Sequence, residues 1–324
     1  MQLDEAAHTA AQIKRQLEQT ILGQPEVLDH ALVTLLAGGH LLIEGPPGTA
    51  KTLLVRSLAL ALDATFRRIQ LTPDLMPSDL VGVNVFRRDA GDFVFQPGPL
   101  FGDLVLADEI NRAPAKTQSA LLEAMQERQV SVDGVSHRLS PVFTVFATQN
   151  PVEYEGTYPL PEAQLDRFLL KTVVDYPAED AERALVRRHR DGFDPADPRS
   201  YVAAPVADVE RLLGARRALG LVRVTDELVA YITGIARGTR TLGSLLLGAG
   251  PRAGVMLLRA SRALALLRGR DFVTPDDVRD LAVPALRHRV VLSPETEIEG
   301  VSADRLIEQV LERVPVPRLP PPAP

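Results

Sequence analysis

The sequence predicts an α/β layered fold built on a parallel sheet, followed by a helical region that begins after residue 176. Two observations carry this. Over the first 176 of the 324 residues, short β-type runs alternate with helical stretches, the pattern of strands that return through helices. After Tyr176-Pro177 such runs stop, and amphipathic stretches opened by Ser, Thr, Asp or Pro take over, which are helix-start signals. With 45% hydrophobic and 24% charged residues, the chain can bury a sizeable core and still present a charged surface.

Five runs read as strands: 40–44, 67–71, 104–108, 142–148 and 168–174. Their continuous apolar character suits strands covered on both faces. Beyond 176, residues 179–190, 205–219, 225–237, 251–268 and 275–288 read as helices, with no strand among them. The Asp- and Pro-rich stretch 190–205 reads as a loop, and PVPRLPPPAP at 315–324 as a disordered or polyproline-II tail. The expected division is therefore 1–176, 177–314 and 315–324.

Several function classes fall away. Cysteine is absent, which excludes disulfides, thiolate metal sites and a cysteine nucleophile. The six histidines form neither an i, i+4 pair nor an HExxH motif, so no transition-metal site is expected. The N-terminus lacks the apolar region of a secretory signal, and no run of about eighteen apolar residues occurs; a cytoplasmic chain without a membrane span is expected. Net charge is −6, and residues 1–175 alone carry −8, opposite to the basic excess of a phosphate-contacting nucleic-acid binder.

The chemistry begins at Leu41-Leu42-Ile43-Glu44-Gly45-Pro46-Pro47-Gly48-Thr49-Ala50-Lys51-Thr52. An apolar strand runs into a Gly/Pro loop, then Lys-Thr, then a helix. A polyphosphate needs inward backbone N–H groups, a helix N-terminus and a reaching ammonium, and Thr52 offers a hydroxyl to Mg²⁺. The strict pattern places Gly directly before Lys, where this chain has Ala50. A plain turn would explain the glycines but not Lys51-Thr52 at this offset in a chain with only four lysines.

The strand 104–108 closes on Asp108-Glu109, 57 positions after Lys51. Alone, such a string is common at solvated strand ends. Downstream of a phosphate loop, Asp108 is positioned to hold Mg²⁺ through water and Glu109 to polarise the attacking water. The next strand ends on Gln149-Asn150-Pro151, where the Asn150 amide either orients that water or simply forms a turn. Arg167, before the last strand, either pairs with Asp166 or Glu162 on the surface or reaches into a neighbouring subunit. Arg252, on the first turn of a later helix, is able to fold onto phosphates.

GPPGTAKT, LVLADEINRAP, FATQNPVEYEGTYPLPEAQLDRF and GPRA, in this order, resemble the MoxR family of AAA+ ATPases over roughly residues 20–290. The resemblance implies an AAA+ P-loop wedge of three αβα layers, sheet order 5-1-4-3-2, with a C-terminal all-α lid. It implies that Gly45–Thr52 is the Walker A loop and Asp108-Glu109 the Walker B pair. Asn150 would be sensor 1, Arg167 the arginine finger, Arg252 the sensor 2 arginine, and Gly23-Gln24 part of an adenine-side stretch. It further implies ATP and Mg²⁺ as ligands, a ring (a hexamer) of identical subunits, an insertion within 72–100 and a hairpin at 133–138. The work implied is remodelling of a protein client, such as one with a von Willebrand factor A domain. The rival readings are a nucleic-acid motor of a related clade and a slow nucleotide-gated switch. The acidic first half opposes the first, and the joint presence of Glu109 and Arg167 the second.

Overall fold

The computed structural model describes residues 1–89, 91–150, 158–197, 200–202 and 204–317. Helices α1 (Leu3–Glu18) and α2 (Pro25–Ala37) lead into β1 (Leu41–Glu44), α3 (Lys51–Ala61) and β2 (Phe66–Gln70). Then come α4 (Pro77–Val81), β3 (Gly82–Arg87), β4 (Asp92–Pro97), β5 (Leu104–Asp108) and α5 (Ala115–Glu127). Next are β6 (Gln129–Val132), β7 (Val135–Arg138), β8 (Thr144–Gln149), α6 (Glu162–Leu165) and β9 (Leu170–Val173).

The sheet holds five parallel strands in the order β2-β5-β8-β1-β9. Counting only the five expected strands, that is the order 5-1-4-3-2. Alternation explains why it packs on both faces. Leu41 and Ile43 of β1, Leu104 and Leu106 of β5 and Phe146 of β8 join one core with α1, α2 and α3. Leu42, Val105, Ala107, Val145 and Ala147 point the other way, into a core with Leu121, Leu122 and Met125 of α5. Strand β2 departs from the expectation of two covered faces: only Ile69 is buried, because β2 is the sheet edge and carries Arg67, Arg68 and Gln70 into solvent.

The expected insertion is a short helix and the β3–β4 hairpin. The second hairpin is wider than 133–138, pairing 129–132 with 135–138 around Asp133-Gly134, both at positive φ. Asn84 donates to Asp133 at 2.7 Å, and Phe95 stacks on His137 at 3.9 Å, so the two hairpins stand together.

The rest of the chain is α7 (Glu179–Arg190), α8 (Val209–Ala218), α9 (Asp226–Thr239), β10 (Leu245–Leu247), α10 (Pro251–Leu267), α11 (Pro275–Leu286), β11 (Val291–Leu292), α12 (Pro294–Ile298) and α13 (Ala303–Arg313). The side chains of Asp208, Thr225, Thr274 and Ser302 accept backbone N–H groups at the starts of α8, α9, α11 and α13, as N-caps do. To the expected helices the structure adds α12, α13 and the small antiparallel pair β10–β11, too short to show an alternating pattern. This helical region does not build a core of its own. Its buried residues from α8, α9, α10, α11 and α13 join the cluster that holds α1, α2 and β1. Among the described residues no helix is long and apolar enough to cross a membrane. The tail from 318 onward lies outside the described residues.

Candidate nucleotide-binding site

The carboxyl ends of β1, β5 and β8 open onto one cleft of about 520 Å³, within the usual range for small-ligand pockets. Gly45, Pro47, Gly48, Thr49, Ala50, Lys51 and Thr52 form one wall, and Asp108, Glu109, Thr148, Gln149 and Asn150 another. Pro46 accepts the Thr49 hydroxyl at 3.0 Å and so shapes the loop from behind.

Local geometry explains the loop. Gly45 donates its N–H to Gln149 O at 3.2 Å, and a Cβ there would collide with the Val174 carbonyl, so glycine is required. Gly48 has φ +81 and open space where a Cβ would be, which leaves its backbone bare toward the cleft. Ala50 caps α3 from the left-handed region at φ 58 and ψ 19, the conformation a glycine supplies without strain. No side chain caps α3, so its first N–H groups and the positive end of its dipole face the cleft. Lys51 donates Nζ to Gly45 O. Burial lowers its pKa, while Asp108, Glu44 and Glu109 oppose that shift.

Thr148 organises the acidic wall. Its hydroxyl donates to Asp108 Oδ1 at 3.2 Å and accepts the Glu109 N–H at 2.9 Å. Asp108 Oδ2 also takes Arg68 Nε at 2.7 Å. Glu109, held at φ 57, takes Gln70 Nε2 at 2.9 Å and Arg112 at 3.1 Å on Oε2. Thr148, Arg68 and Gln70 carry no motif that singles them out. The same is true of the far end of the cleft, lined by Leu53, Arg56, Leu185, His189, Phe193 and Pro195. There the His189 and Phe193 rings meet edge-on at 5.2 Å, and Arg188 lies 4.4 Å over Phe193.

Four expected site residues stand elsewhere. Among the described residues that line the cleft, Gly23, Gln24, Arg167 and Arg252 are not included. A Cβ on Gly23 would collide with Ala181 of α7 and crowd Pro177, so the chain at Gly23 passes close against the helix whose later turns reach the cleft. Arg167 donates to Gln126 at 3.1 Å and to Ala163 O at 3.3 Å, and Arg252 Nε lies 3.7 Å from Asp166 Oδ2. The two arginines therefore share one locality at the amino end of β9, while the cleft lies at the carboxyl ends of the strands.

The residues present fit Mg²⁺-ATP. The bared Gly48 and the uncapped α3 suit phosphate oxygens. Thr52 and Asp108 are hard oxygen donors, and Mg²⁺ takes one or two such groups beside phosphate and water. Sheet order, loop and acidic strand end together define a P-loop nucleotide-binding protein of the AAA+ class. Residues 40–170 match the ATPase family associated with various cellular activities (AAA), and residues 237–310 the AAA lid domain. The chain is 44% identical to the protein YeaC of Bacillus subtilis (strain 168), over 93% of this chain and 92% of that one. It is 41% identical to Chaperone MoxR1 of Mycobacterium tuberculosis, over 96% and 83%. A crystal structure of an inferred ATPase from Cytophaga hutchinsonii superposes with a TM-score of 0.89 at 38% identity, covering 97% of this chain and 96% of that one. The chain belongs to the MoxR family of AAA+ ATPases.

Proposed function

We propose that the chain binds and hydrolyses ATP in this cleft, working as a ring of identical subunits, a hexamer, that remodels a protein partner. The observation that carries this reading is the Thr148 hydroxyl, which fixes Asp108 and the Glu109 backbone together beside Lys51. Lys51 and the N–H groups of Gly45–Thr52 hold the phosphates. Thr52 and Asp108 hold Mg²⁺, which when bound offsets phosphate charge. Glu109 accepts the proton of the attacking water, and Asn150 orients that water. Gly23 and Gln24 act on the base side through α7, together with Leu185, His189 and Phe193. In this reading residues 1–176 supply the phosphate and catalytic side of the cleft, and the lid, 177–314, closes the base side through α7 and Phe193.

Arg167 and Arg252 stand together away from their own cleft, which supports a role for both on the γ-phosphate of a neighbouring subunit. The name of the mycobacterial relative supports a protein client, and the resemblance points to one with a von Willebrand factor A domain. Such work takes place in the cytoplasm under the reading from composition. The test is a mixture. Arg167→Ala and Glu109→Gln should each bind ATP and hydrolyse it poorly, because arginines supplied in trans are worth on the order of 10³-fold or more in related phosphoryl transfer. Mixed rings pair an intact finger with an intact cleft and should regain part of the rate. Mixed rings that form and recover nothing refute the in-trans role.

A further inference from the structure

One buried arginine outside the cleft makes more contacts than its place at a helix end requires. Arg289, 7% exposed, follows α11 and reaches across to the segment that carries Arg167. Its Nε donates to Asp166 Oδ1 at 2.7 Å. Its Nη2 donates to Asp166 O at 3.2 Å and to Phe168 O at 2.5 Å, and its Nη1 to Leu169 O at 3.2 Å and to Ala285 O. The adjacent His288, also buried, meets Phe168 O at 3.1 Å. The two residues thus grip the backbone on both sides of Arg167, from 166 to 169. Asp166 completes the clasp, since its other carboxylate oxygen faces Arg252 at 3.7 Å.

Stability alone does not explain this arrangement. The last carbonyls of a helix need donors, and of the Arg289 side-chain contacts only that to Ala285 O serves this purpose. The other four donate to the segment before β9. A planar guanidinium with five donors is suited to hold several carbonyls and a carboxylate in one fixed geometry, which an ammonium is not. The segment held is short, so any shift of Arg289 is passed directly to Arg167.

We propose that Arg289 is the positioning residue for Arg167: it ties the helical lid to the finger segment and sets where the finger meets the neighbouring subunit. The inference rests on the in-trans reading of Arg167. Arg289 touches neither the cleft nor Arg167 itself. Its effect is on the catalytic step and not on nucleotide affinity, and Arg252 shares it through Asp166. Lid movement and finger position then change together, so a partner that moves the lid alters hydrolysis next door.

The full-length chain is measured as Arg289→Lys, with Arg167→Ala alongside, for ATP affinity, kcat, KM and ring formation. A misplacement of about 1 Å costs on the order of 10²-fold in rate, so kcat of Arg289→Lys should fall by about that factor with KM for ATP unchanged. Mixing Arg289→Lys with Glu109→Gln subunits should restore part of the rate, as it should for Arg167→Ala, because the damaged finger is then bypassed. A fold defect or a role in its own cleft would not be rescued in this way. Wild-type kcat, a raised KM with normal kcat, or folded mixed rings without rescue overturns the proposal. If Arg289→Lys does not fold, Asp166→Asn, which keeps the shape and removes one partner of the clasp, is read by the same outcomes. Full hydrolysis by Arg167→Ala would instead refute the in-trans reading itself.

Discussion

The side-chain amide of Gln70, at the end of the sheet's edge strand, donates to the Glu109 carboxylate at 2.9 Å. The same oxygen takes Arg112 at 3.1 Å, so the proposed base is held by two donors at once. Hydrogen bonds to a charged group are worth about 1.5–3 kcal/mol, and such a donor must give way before that oxygen takes the proton of a water. Gln70→Ala should therefore raise kcat for ATP hydrolysis several-fold and leave ATP affinity unchanged. Steady-state hydrolysis together with equilibrium nucleotide binding checks this, and an unchanged or lower kcat contradicts it.

Lys51 and Glu109 should separate cleanly. In the proposed assignment Lys51 faces phosphate in the ground state, whereas Glu109 acts on water in the transition state. Lys51→Ala should abolish ATP binding, while Glu109→Gln should bind ATP and lose hydrolysis. Equal losses of affinity, measured by calorimetry, would reject the assignment of both.

The aromatic end of the cleft should set affinity and not rate. Phe193 and His189 offer ring faces and edges beside Leu53, and base–aromatic stacking is worth ~1–3 kcal/mol. Phe193→Ala should weaken ATP binding by roughly tenfold, with kcat at saturation unchanged. A rate that falls at saturating ATP would place Phe193 in the chemistry instead.

Acid should destabilise the fold through two histidines, buried His40 and part-buried His30. His40 accepts the Val145 N–H on Nδ1 at 2.9 Å and meets Met125 O through Nε2 at 3.1 Å. Only the neutral ring with its proton on Nε2 satisfies both partners. Burial pushes its pKa down to about 3, and burial with the Arg287 charge pushes that of His30 to about 4, from an ordinary 6.5. Because the folded values lie below the unfolded one, the unfolded chain takes up protons first. The stability is intact above pH 6.5 and is lost as pH falls toward 4, by about 2 kcal/mol per histidine at pH 5. The urea midpoint should drop between pH 7 and 5, and a constant midpoint would contradict this.

Ala50 should accept glycine and reject valine. At φ 58 an alanine costs about 1–2 kcal/mol, which glycine avoids, although its looser unfolded state offsets about 0.4–1 kcal/mol of that gain. Ala50→Gly should raise the melting temperature slightly and keep ATP binding. Ala50→Val should lose nucleotide affinity, since a β-branched residue is not at home there. Equal behaviour of the two variants in a binding titration would argue against the strained cap.

The sequence exposed the parts of this protein whose chemistry is local. A strand, a Gly/Pro loop and Lys51-Thr52 follow one another along the chain, and Asp108-Glu109 ends an apolar run, so order alone gave sheet, loop and acidic wall. Thr148 was hidden because a threonine inside an apolar strand reads as strand composition. Gln70 and Arg68 lie on an edge strand whose polar character obscured its partner. Leu185 and His189 belong to α7, which has no buried residue; an amphipathic pattern marks it as a helix without telling which turns cover a cleft. Arg289 lies just past the expected helix 275–288, and only the fold brings it to Asp166, 123 positions away.

The shared core has a consequence for inheritance. Leu17 of α1, Leu28 of α2 and Leu41 of β1 are buried in the same cluster as Leu212, Leu228, Leu257 and Leu281 of the helical region. A gene fragment ending at residue 176 would therefore encode a nucleotide loop whose supporting helices face water with bare leucines. The lid is not a cassette that recombination can trade between relatives on its own. It must be exchanged together with α1 and α2, or diverge in step with them.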